Sequence, residues 1–154
     1  MNELKIGATL QNGKYRIEHV LGQGGFGITY LATQTTLGCK VAIKEFFFQD
    51  CCERHADDSR VSVITASKQE LVDKFRRKFL KEARLLLTIN HHNIVRVMDA
   101  FEENDTAYYA MEYIEGISLS QLISQKGRLT AAETLTITDS VGQALVYLHA
   151  RNIN

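Results

Sequence analysis

The stretch that decides the fold reads LGQGGFGITYLATQTTLGCKVAIK and occupies Leu21–Lys44. Three of its glycines have the spacing Gly-x-Gly-x-x-Gly: Gly22, Gly24 and Gly27. Residues 15–21 before them alternate and are rich in β-formers, and residues 28–33 after them are β-branched and aromatic. Because strand-like segments flank the glycines on both sides, the pattern predicts a hairpin turn between two antiparallel strands.

The glycine triplet admits three interpretations. A dinucleotide-binding turn would open a helix inside a βαβ unit, but Gly27 leads directly into the strand-like ITYLAT, which excludes that interpretation. A plain surface hairpin would use the glycines only to allow positive φ angles. A phosphate-binding hairpin would fold over the phosphates of a nucleotide, with a cation behind them. The triplet alone does not decide between the last two.

The segment VAIK at 41–44 favours the phosphate-binding interpretation. Strand alternation sends Ala42 and Lys44 to one face of the sheet. There the small alanine leaves room for a flat base, and the lysine can reach α- and β-phosphates. A strand-end lysine on its own is usually solvated. We expect Lys44 to differ because Glu82, on a predicted helix, supplies a carboxylate partner.

That helix is predicted to begin at the capping box Ser67-Lys-Gln-Glu70. Five residues with spacings of 4, 4, 3 and 4 fall on one face of this helix and form a mostly apolar stripe: Leu71, Phe75, Phe79, Glu82 and Leu86. A glutamate within an apolar stripe needs a cation, because burying an unpaired carboxylate is costly. We therefore expect Glu82 to lie on the buried face of the helix and to pair with Lys44.

The remaining elements complete an α+β pattern. Three further strands are predicted at 39–48, 94–101 and 106–113. A turn is predicted at 102–105 and a long polar loop at 49–66. A short helix at 118–125 should end at Gly127, where left-handed geometry is favoured. A second capping box at 130–133 should open a last helix towards Ala150. The order is five strands with a helix after the third, then helices only.

Composition narrows the function classes. Lysine plus arginine equals 18 and aspartate plus glutamate equals 18, so no basic field favours nucleic acid or an anionic membrane. No apolar run approaches the roughly 20 residues that span a bilayer, and the N-terminus lacks a signal peptide's apolar centre, so we expect a cytoplasmic protein. The three cysteines do not form a disulfide framework. Cys51, Cys52 and His55 are an incomplete ligand set, so no metal site is predicted.

These motifs together resemble the eukaryotic-type Ser/Thr protein kinases of bacteria, from about Tyr15 to Asn154. LGQGGFGITYLA is similar to the kinase glycine loop and VAIK to its third strand. Glu82 in FLKEARLLL matches the helix-C glutamate, NHHNIVRVMDAF the next loop and strand, and AYYAMEYIEGISL the fifth strand and hinge. The fold implied is a kinase N-lobe, a five-stranded antiparallel sheet with one long helix, followed by two C-lobe helices.

The resemblance also implies a domain organisation. Residues 1–14 would form an N-terminal arm, and residues 15–114 the ATP-binding lobe, with an insertion at about 49–66. Residues 115–154 would leave the hinge and form the first two helices of a second lobe. Lys44 and Glu82 are 38 positions apart, which is long for the family. A tolerated surface insertion is the simpler explanation, and a regulatory one the alternative.

The resemblance implies that ATP is the ligand, with Mg only in a full-length kinase. The nucleotide-binding residues would be Leu21, Gly22, Gln23, Gly24, Gly25, Phe26, Gly27, Ile28, Thr29, Ala42, Lys44, Glu82, Met111, Glu112, Ile114 and Ser118. Backbone amides from Gln23 to Gly27 would cover the phosphates, and the pair of Lys44 and Glu82 would mark the active arrangement. No metal ligands are implied within this chain.

The adenosine part of the ligand has its own set of contacts in this scheme. The adenine sandwich and the gatekeeper would be formed by Leu21, Thr29, Ala42 and Met111. The Glu112 carbonyl and the Ile114 amide would bind the adenine edge, and Ser118 would lie near the ribose. Leu86 and Val97 would join the family's hydrophobic column, although ordinary core packing describes them equally well. Thr29 stands where the family usually has valine, and His92 where it has proline.

The catalytic aspartate, the metal-binding asparagine and the Asp-Phe-Gly aspartate find no match in the 154 residues. We therefore expect the ATP-binding lobe of a Ser/Thr kinase, interrupted before the catalytic loop and inactive alone. The alternatives are a naturally short kinase-like module that binds nucleotide or a partner without catalysis, and a structural domain with a vestigial pocket. We expect self-association through the last two helices, driven by four apolar residues: Leu135, Val141, Leu145 and Leu148.

Overall fold

The computed structural model describes residues 2–56 and 59–153. Its main sheet is antiparallel, with the strand order β1-β2-β3-β4-β8-β7. These strands are β1 (Thr9–Leu10), β2 (Tyr15–Gly24), β3 (Gly27–Gln34), β4 (Cys39–Phe46), β7 (Val97–Glu103) and β8 (Thr106–Glu112). A two-stranded sheet is formed by β5 (Cys52–Arg54) and β6 (Val61–Val63). The helices are α1 (Gln69–Leu86), α2 (Leu119–Lys126) and α3 (Ala131–His149).

The five predicted strands are all present, and the α+β prediction is confirmed. Strand β1 is an addition, since two residues in a polar stretch give no usable alternation. The turn between β7 and β8 is tighter than predicted. Asn104 and Asp105 have φ of 54° and 58°, so they form a two-residue hairpin turn of the kind that matches strand twist.

The two faces of β4 have different neighbours. On one face, which we call the lysine face, Lys44 lies opposite Thr29 and Tyr109, and Ala42 lies opposite Met111. Helix α1 packs on this face, with the Phe79 ring centroid 5.1 Å from that of Tyr109. The opposite face carries Val41, Ile43 and Glu45, all buried in the larger core. Burial on both faces explains why β4 reads as an apolar run with few interruptions.

The segment 49–66, predicted to be a long polar loop, contains the β5–β6 hairpin instead. Cys52 pairs with Val63 and Arg54 with Val61. Cys51, Cys52 and Val61 are buried in the main core, and the Val61 amide donates to the Asn104 carbonyl at 2.9 Å. The sequence prediction was wrong here because three-residue strands are too short to show a period. Both buried cysteines are free thiols.

Helix α1 begins differently from the prediction. A 3₁₀ turn at Ala66–Lys68 precedes it, Lys68 is the N-cap, and no side chain caps the helix, so the proposed box at 67–70 does not form. The buried residues of α1 are Val72, Leu80 and Ala83, with Phe75 and Phe79 half-buried. The buried stripe is thus rotated towards Leu80 and Ala83. Leu71 and Glu82 lie at its edge and are exposed.

The chain forms two compact units, one of Met1–Ile89 with Arg96–Tyr113 and the other of Asn90–Val95 with Ile114–Asn154. In the second unit, Thr130 and Glu133 form the capping box predicted for α3, and Gly127 ends α2 with φ 78°. Asn93 joins the segment 90–95 to α3 by donating its side-chain amide to the Ser140 carbonyl at 3.0 Å. Across residues 2–56 and 59–153, no helix is both long and apolar enough to cross a bilayer.

Candidate functional site

The glycine hairpin joins β2 to β3, with Gly24 opposite Gly27 and with Gly25 and Phe26 at its tip. Among the described residues, apart from each glycine and its two chain neighbours, no heavy atom lies within 4 Å of a Cβ built on Gly22, Gly24 or Gly25. A Cβ on Gly27, by contrast, would lie 2.6 Å from the Glu45 carbonyl oxygen. Gly27 is therefore required by the close approach of the hairpin to β4, while the other three glycines leave open space above the sheet.

Lys44 projects from the lysine face beneath this hairpin. Its ammonium lies 5.9 Å from the centroid of the Tyr109 ring, and its Cε lies 3.8 Å from a Cβ built on Gly27. The register brings Thr29 and Met111 to the same face, beside Lys44 and the buried Ala42. Four residues that the sequence singled out are thus close neighbours on one surface.

A cavity of about 510 Å³ opens between the hairpin, β4 and α1. The hairpin lines it from Gly22 to Gly27, and α1 contributes Phe75, Lys78, Phe79 and Glu82. Lys44 also lines it, so the residues around the space include two lysines and one glutamate. An excess of positive charge next to an exposed glycine-rich backbone is suited to an anion such as a phosphate group.

The expected ion pair between Lys44 and Glu82 is not formed in this structure. The Glu82 side chain is 61% exposed, and within residues 2–56 and 59–153 its ion-pair partner is Lys78, at 3.9 Å. The expectation that Glu82 lies on the buried face is wrong, because the rotated stripe of α1 leaves it at the edge. An exposed pair of this length on one helix is worth only about 0.3–0.5 kcal/mol.

The buried carboxylate belongs to the neighbouring residue, Glu45, on the opposite face of β4. Glu45 is fully buried and accepts hydrogen bonds from the hydroxyls of Tyr30 and Tyr108, each at 2.7 Å. Arg54, from the β5–β6 hairpin, donates to it at 2.6 Å. Burial, and then the Glu45 charge, raise the pKa of Tyr30 and of Tyr108, so both phenols stay protonated donors.

Sequence reasoning missed this cluster, although a signal was available. Alternation along β4 places Glu45 on the same face as Val41 and Ile43, which is an unusual position for an acid. What could not be read was its partner, because Arg54 lies in a segment with no periodic pattern. Only the folded chain brings the two together.

The other predicted site residues are less informative. The Glu112 carboxylate accepts from the Arg96 amide at 2.7 Å, and Leu21 is exposed on β2. Ser118, in the second unit, caps α2 by accepting from the Gln121 amide. Val97 is buried beside Ala83 and Tyr109, with Leu86 packed against it. The roles of Glu112, Ile114 and Ser118 towards a nucleotide therefore stay predictions, and core packing describes Leu86 and Val97.

A magnesium site was not expected within this chain. Among the described residues, no group of three or more histidine, cysteine, aspartate or glutamate side chains is arranged to hold a metal ion.

Comparison with known proteins identifies the family of this arrangement. The sequence profile described as "Protein kinase domain" matches residues 15–154. The chain is 33% identical over 142 residues to the serine/threonine-protein kinase PrkC of Bacillus subtilis (strain 168), covering 92% of this chain and 19% of PrkC. It is 29% identical to PknA of Mycobacterium tuberculosis, another serine/threonine-protein kinase, covering 97% of this chain and 31% of PknA.

Solved structures give the same result. The structure described as "PpkA-294 apo form" superposes with a TM-score of 0.75 and 30% identity, covering 81% of this chain and 43% of that one. The crystal structure of the M. tuberculosis PknI kinase domain superposes with a TM-score of 0.70 and 26% identity, covering 97% of this chain and 52% of that domain. The chain therefore spans about half of a kinase domain, and at most a third of these two curated relatives.

Proposed function

Because the chain belongs to the protein kinase family and forms the N-terminal part of the kinase domain, we propose that it binds ATP through the glycine hairpin and Lys44. The observation that carries the proposal is the cavity of about 510 Å³, in which the glycine backbone and Lys44 face the same space. Backbone amides and a fixed ammonium are the groups that hold a polyphosphate.

The charge of the cavity supports a polyanion as the ligand. Lys44 and Lys78 line it together with one carboxylate, that of Glu82. Gly22, Gly24 and Gly25 leave open space in which phosphate oxygens could approach the main chain. The phosphates would thus lie under the hairpin tip, with Lys44 behind them. This is the arrangement that positions a phosphoryl group for transfer in a complete kinase.

The adenosine contacts form the finer part of the proposal. Thr29, Ala42 and Met111 share the lysine face and would line the adenine, with Leu21 above it. The Glu112 carbonyl and the Ile114 amide would bind the adenine edge. Small and apolar side chains suit a flat base, which gains from contact with both of its faces.

We propose further that Glu82 exchanges Lys78 for Lys44 when the nucleotide is bound. Its present pair is exposed and long, so little free energy opposes the exchange. Lys44, Lys78 and Glu82 all line the cavity already. The exchange requires a displacement of α1 or a new side-chain conformation that brings the carboxylate towards Lys44.

The reaction of the complete protein would be transfer of the γ-phosphate of ATP to serine or threonine of a protein substrate. That activity and its substrates are proposals from the family. A cytoplasmic location, which we expected from the composition and the N-terminal sequence, also stays a proposal. None of the 154 residues matches the catalytic aspartate or the metal-binding residues of that family. We therefore propose that this chain by itself binds ATP without transferring phosphate. Phosphorylation of a protein substrate by the purified chain would contradict this.

Isothermal titration calorimetry with ATP tests the site. The wild-type chain should bind, and Lys44→Met should weaken ATP at least about tenfold, because one charge-assisted contact to phosphate is lost. Lys81→Met is the matched control, since Lys81 is an exposed lysine of α1 that does not line the cavity. Equal affinities for wild type and Lys44→Met would reject the site.

A second proposal concerns partners. None of the residues of α3 is fully buried, and Leu135 and Val146 are 71% and 70% exposed. Apolar side chains in water favour association with another protein surface. We propose self-association through α3. Sedimentation equilibrium should show oligomers that Leu135→Glu with Val146→Glu abolishes, and a monomeric wild type at high concentration would exclude it.

A further inference from the structure

The tip of the glycine hairpin is held by the chain segment that follows β4. The Phe47 amide donates to the Phe26 carbonyl at 3.2 Å, and the Gln49 amide donates to the Gly25 carbonyl at 3.1 Å. These two hydrogen bonds continue the pairing of β3 with β4 beyond the last pair, Gly27 with Phe46. The hairpin tip therefore lies along residues 47–49, which follow β4 and which we call the rail.

Three phenylalanine rings reinforce this contact: Phe26 at the tip, Phe48 on the rail and Phe75 on α1. We call them the tip cluster. The Phe26 centroid lies 4.7 Å from that of Phe48 and 5.2 Å from that of Phe75, and the last two are 5.6 Å apart. These separations lie within the favourable range for aromatic pairs. Phe26 remains 53% exposed, so the cluster holds it from one side.

The rail is itself fixed to the sheet. Phe47 is fully buried, and the Arg54 guanidinium lies over its ring at 5.5 Å. Arg54 is in turn held by the buried Glu45 carboxylate at 2.6 Å. The hairpin tip is the partner that the contact orders, since glycine-rich backbone has the most conformational freedom to lose. The rail and α1 supply the fixed side.

We propose that Phe48 and Phe75 are positioning residues that hold the hairpin tip above Lys44 and so set the affinity for the phosphates of the nucleotide. This inference rests on the proposed ATP site. A flexible hairpin must be ordered when the ligand binds, and that cost lowers affinity. A hairpin already held by the tip cluster loses less conformational entropy when the ligand binds. The segment between β4 and the insertion, on this view, serves the site through Phe48.

The test compares ATP, in magnesium buffer, with adenosine by isothermal titration calorimetry. Phe75→Leu and Phe48→Leu remove a ring and keep an apolar side chain, so the fold should persist. Each should weaken ATP about three- to tenfold, the scale of one aromatic pair. Adenosine, which lacks phosphates, should bind as to wild type. Phe101→Leu is the control, because Phe101 stacks on Tyr15 and Tyr108 and does not line the cavity.

A double variant separates the contact from general softening of the fold. Phe26→Leu with Phe75→Leu should weaken ATP no more than the stronger single change, because both remove the same contact. Equal losses for ATP and adenosine, or full additivity, would overturn the inference. Unchanged ATP affinity in Phe75→Leu and Phe48→Leu would also overturn it, while a wild type that binds no ATP would refute the proposed function.

A measurement without nucleotide keeps the inference testable in that last case. In Phe75→Leu, hydrogen exchange of the Phe47 and Gln49 amides should be several-fold faster than in wild type, because both donate to the hairpin tip. Amides in the centre of β8 should exchange at the wild-type rate. Unchanged exchange at Phe47 and Gln49 would show that the ring does not hold the tip.

Discussion

The carboxylate of Glu45 lies 2.6 Å from the guanidinium of Arg54, and both side chains are almost completely removed from solvent. The pair joins β4, one residue after Lys44, to the insertion that follows it. Two tyrosine hydroxyls also donate hydrogen bonds to the carboxylate. A buried ion pair of this kind is costly to break, because removing one partner leaves the other charged and unpaired.

Removing Arg54 should therefore destabilise the fold strongly. Arg54→Met is expected to lower the free energy of unfolding by about 3–5 kcal/mol, measured by urea denaturation. Adding Glu45→Gln should recover part of the loss, since the neutral amide needs no cation. Arg16→Met, which breaks an exposed pair with Glu18, is the control and should leave the urea midpoint unchanged. A similar midpoint for Arg54→Met would show that the buried pair is dispensable.

Gly27 should tolerate no side chain. Gly27→Ala places a Cβ 2.6 Å from the Glu45 carbonyl, so β3 and β4 must separate, at a cost of about 1–3 kcal/mol. Thermal unfolding followed by circular dichroism should show a clear fall in Tm. Gly25→Ala, at the open tip, should unfold like wild type. Equal Tm values for the two variants would contradict the close approach.

Glu82 should matter for the ligand and not for the fold. Glu82→Gln should change the free energy of unfolding by less than about 0.5 kcal/mol, because its pair with Lys78 is long and exposed. ATP affinity should fall, and a double-mutant cycle with Lys44→Met should show coupling. Glu70→Gln, an exposed acid at the start of α1, is the control. Additive effects of Glu82→Gln and Lys44→Met would rule out their pairing.

The start of α3 should be sensitive to acid. Hydrogen bonds from Lys126, and then from Thr130, lower the pKa of Glu133 from 4.5 to about 2. Because the folded pKa is the lower one, this stabilisation is present above about pH 4.5 and is lost as the pH falls from there towards 2. The capping box of α2, formed by Ser118 and Gln121, contains no titratable group and serves as an internal reference.

The measurement is backbone amide exchange at the first turn of α3, corrected for intrinsic exchange rates. It covers the range from about pH 5 to about pH 2, because the pKa values of Glu133 in the unfolded and folded chain lie within that range. As the pH is lowered, the protection of the Glu133 amide against exchange should decrease more than that of the Gln121 amide. In Glu133→Gln the difference between the two turns should disappear. Parallel curves in the wild type would mean that the box does not depend on the charge of Glu133.

Much of the site could be predicted from sequence because its signals are local. The hairpin follows from glycines between two β-rich runs, and the shared face of Ala42 and Lys44 follows from strand alternation. The capping box of α3 and the end of α2 at Gly127 are equally local and were confirmed. Each of these depends on residues that are close together in the sequence.

The predictions that failed depended on contacts between residues distant in the sequence or on the rotation of a helix about its axis. Glu82 was placed on the buried face from spacing alone, but a stripe fixes a helix face only to within about one residue's rotation of 100°. Packing against the sheet chose Leu80 and Ala83. The insertion looked polar throughout, and only the partner residues of the core show why Cys52 and Val61 are buried.

The sequence by itself determined the succession of five main strands along the chain, the glycine hairpin and the face that carries Lys44, because these follow from backbone periodicity and turn chemistry. The tertiary structure alone decided which carboxylate is buried and what holds the hairpin tip. Glu45 and Arg54 are nine positions apart, and Phe26 and Phe75 are 49 apart. Contacts between such residues form only when the chain excludes water from a shared core, which no local pattern specifies.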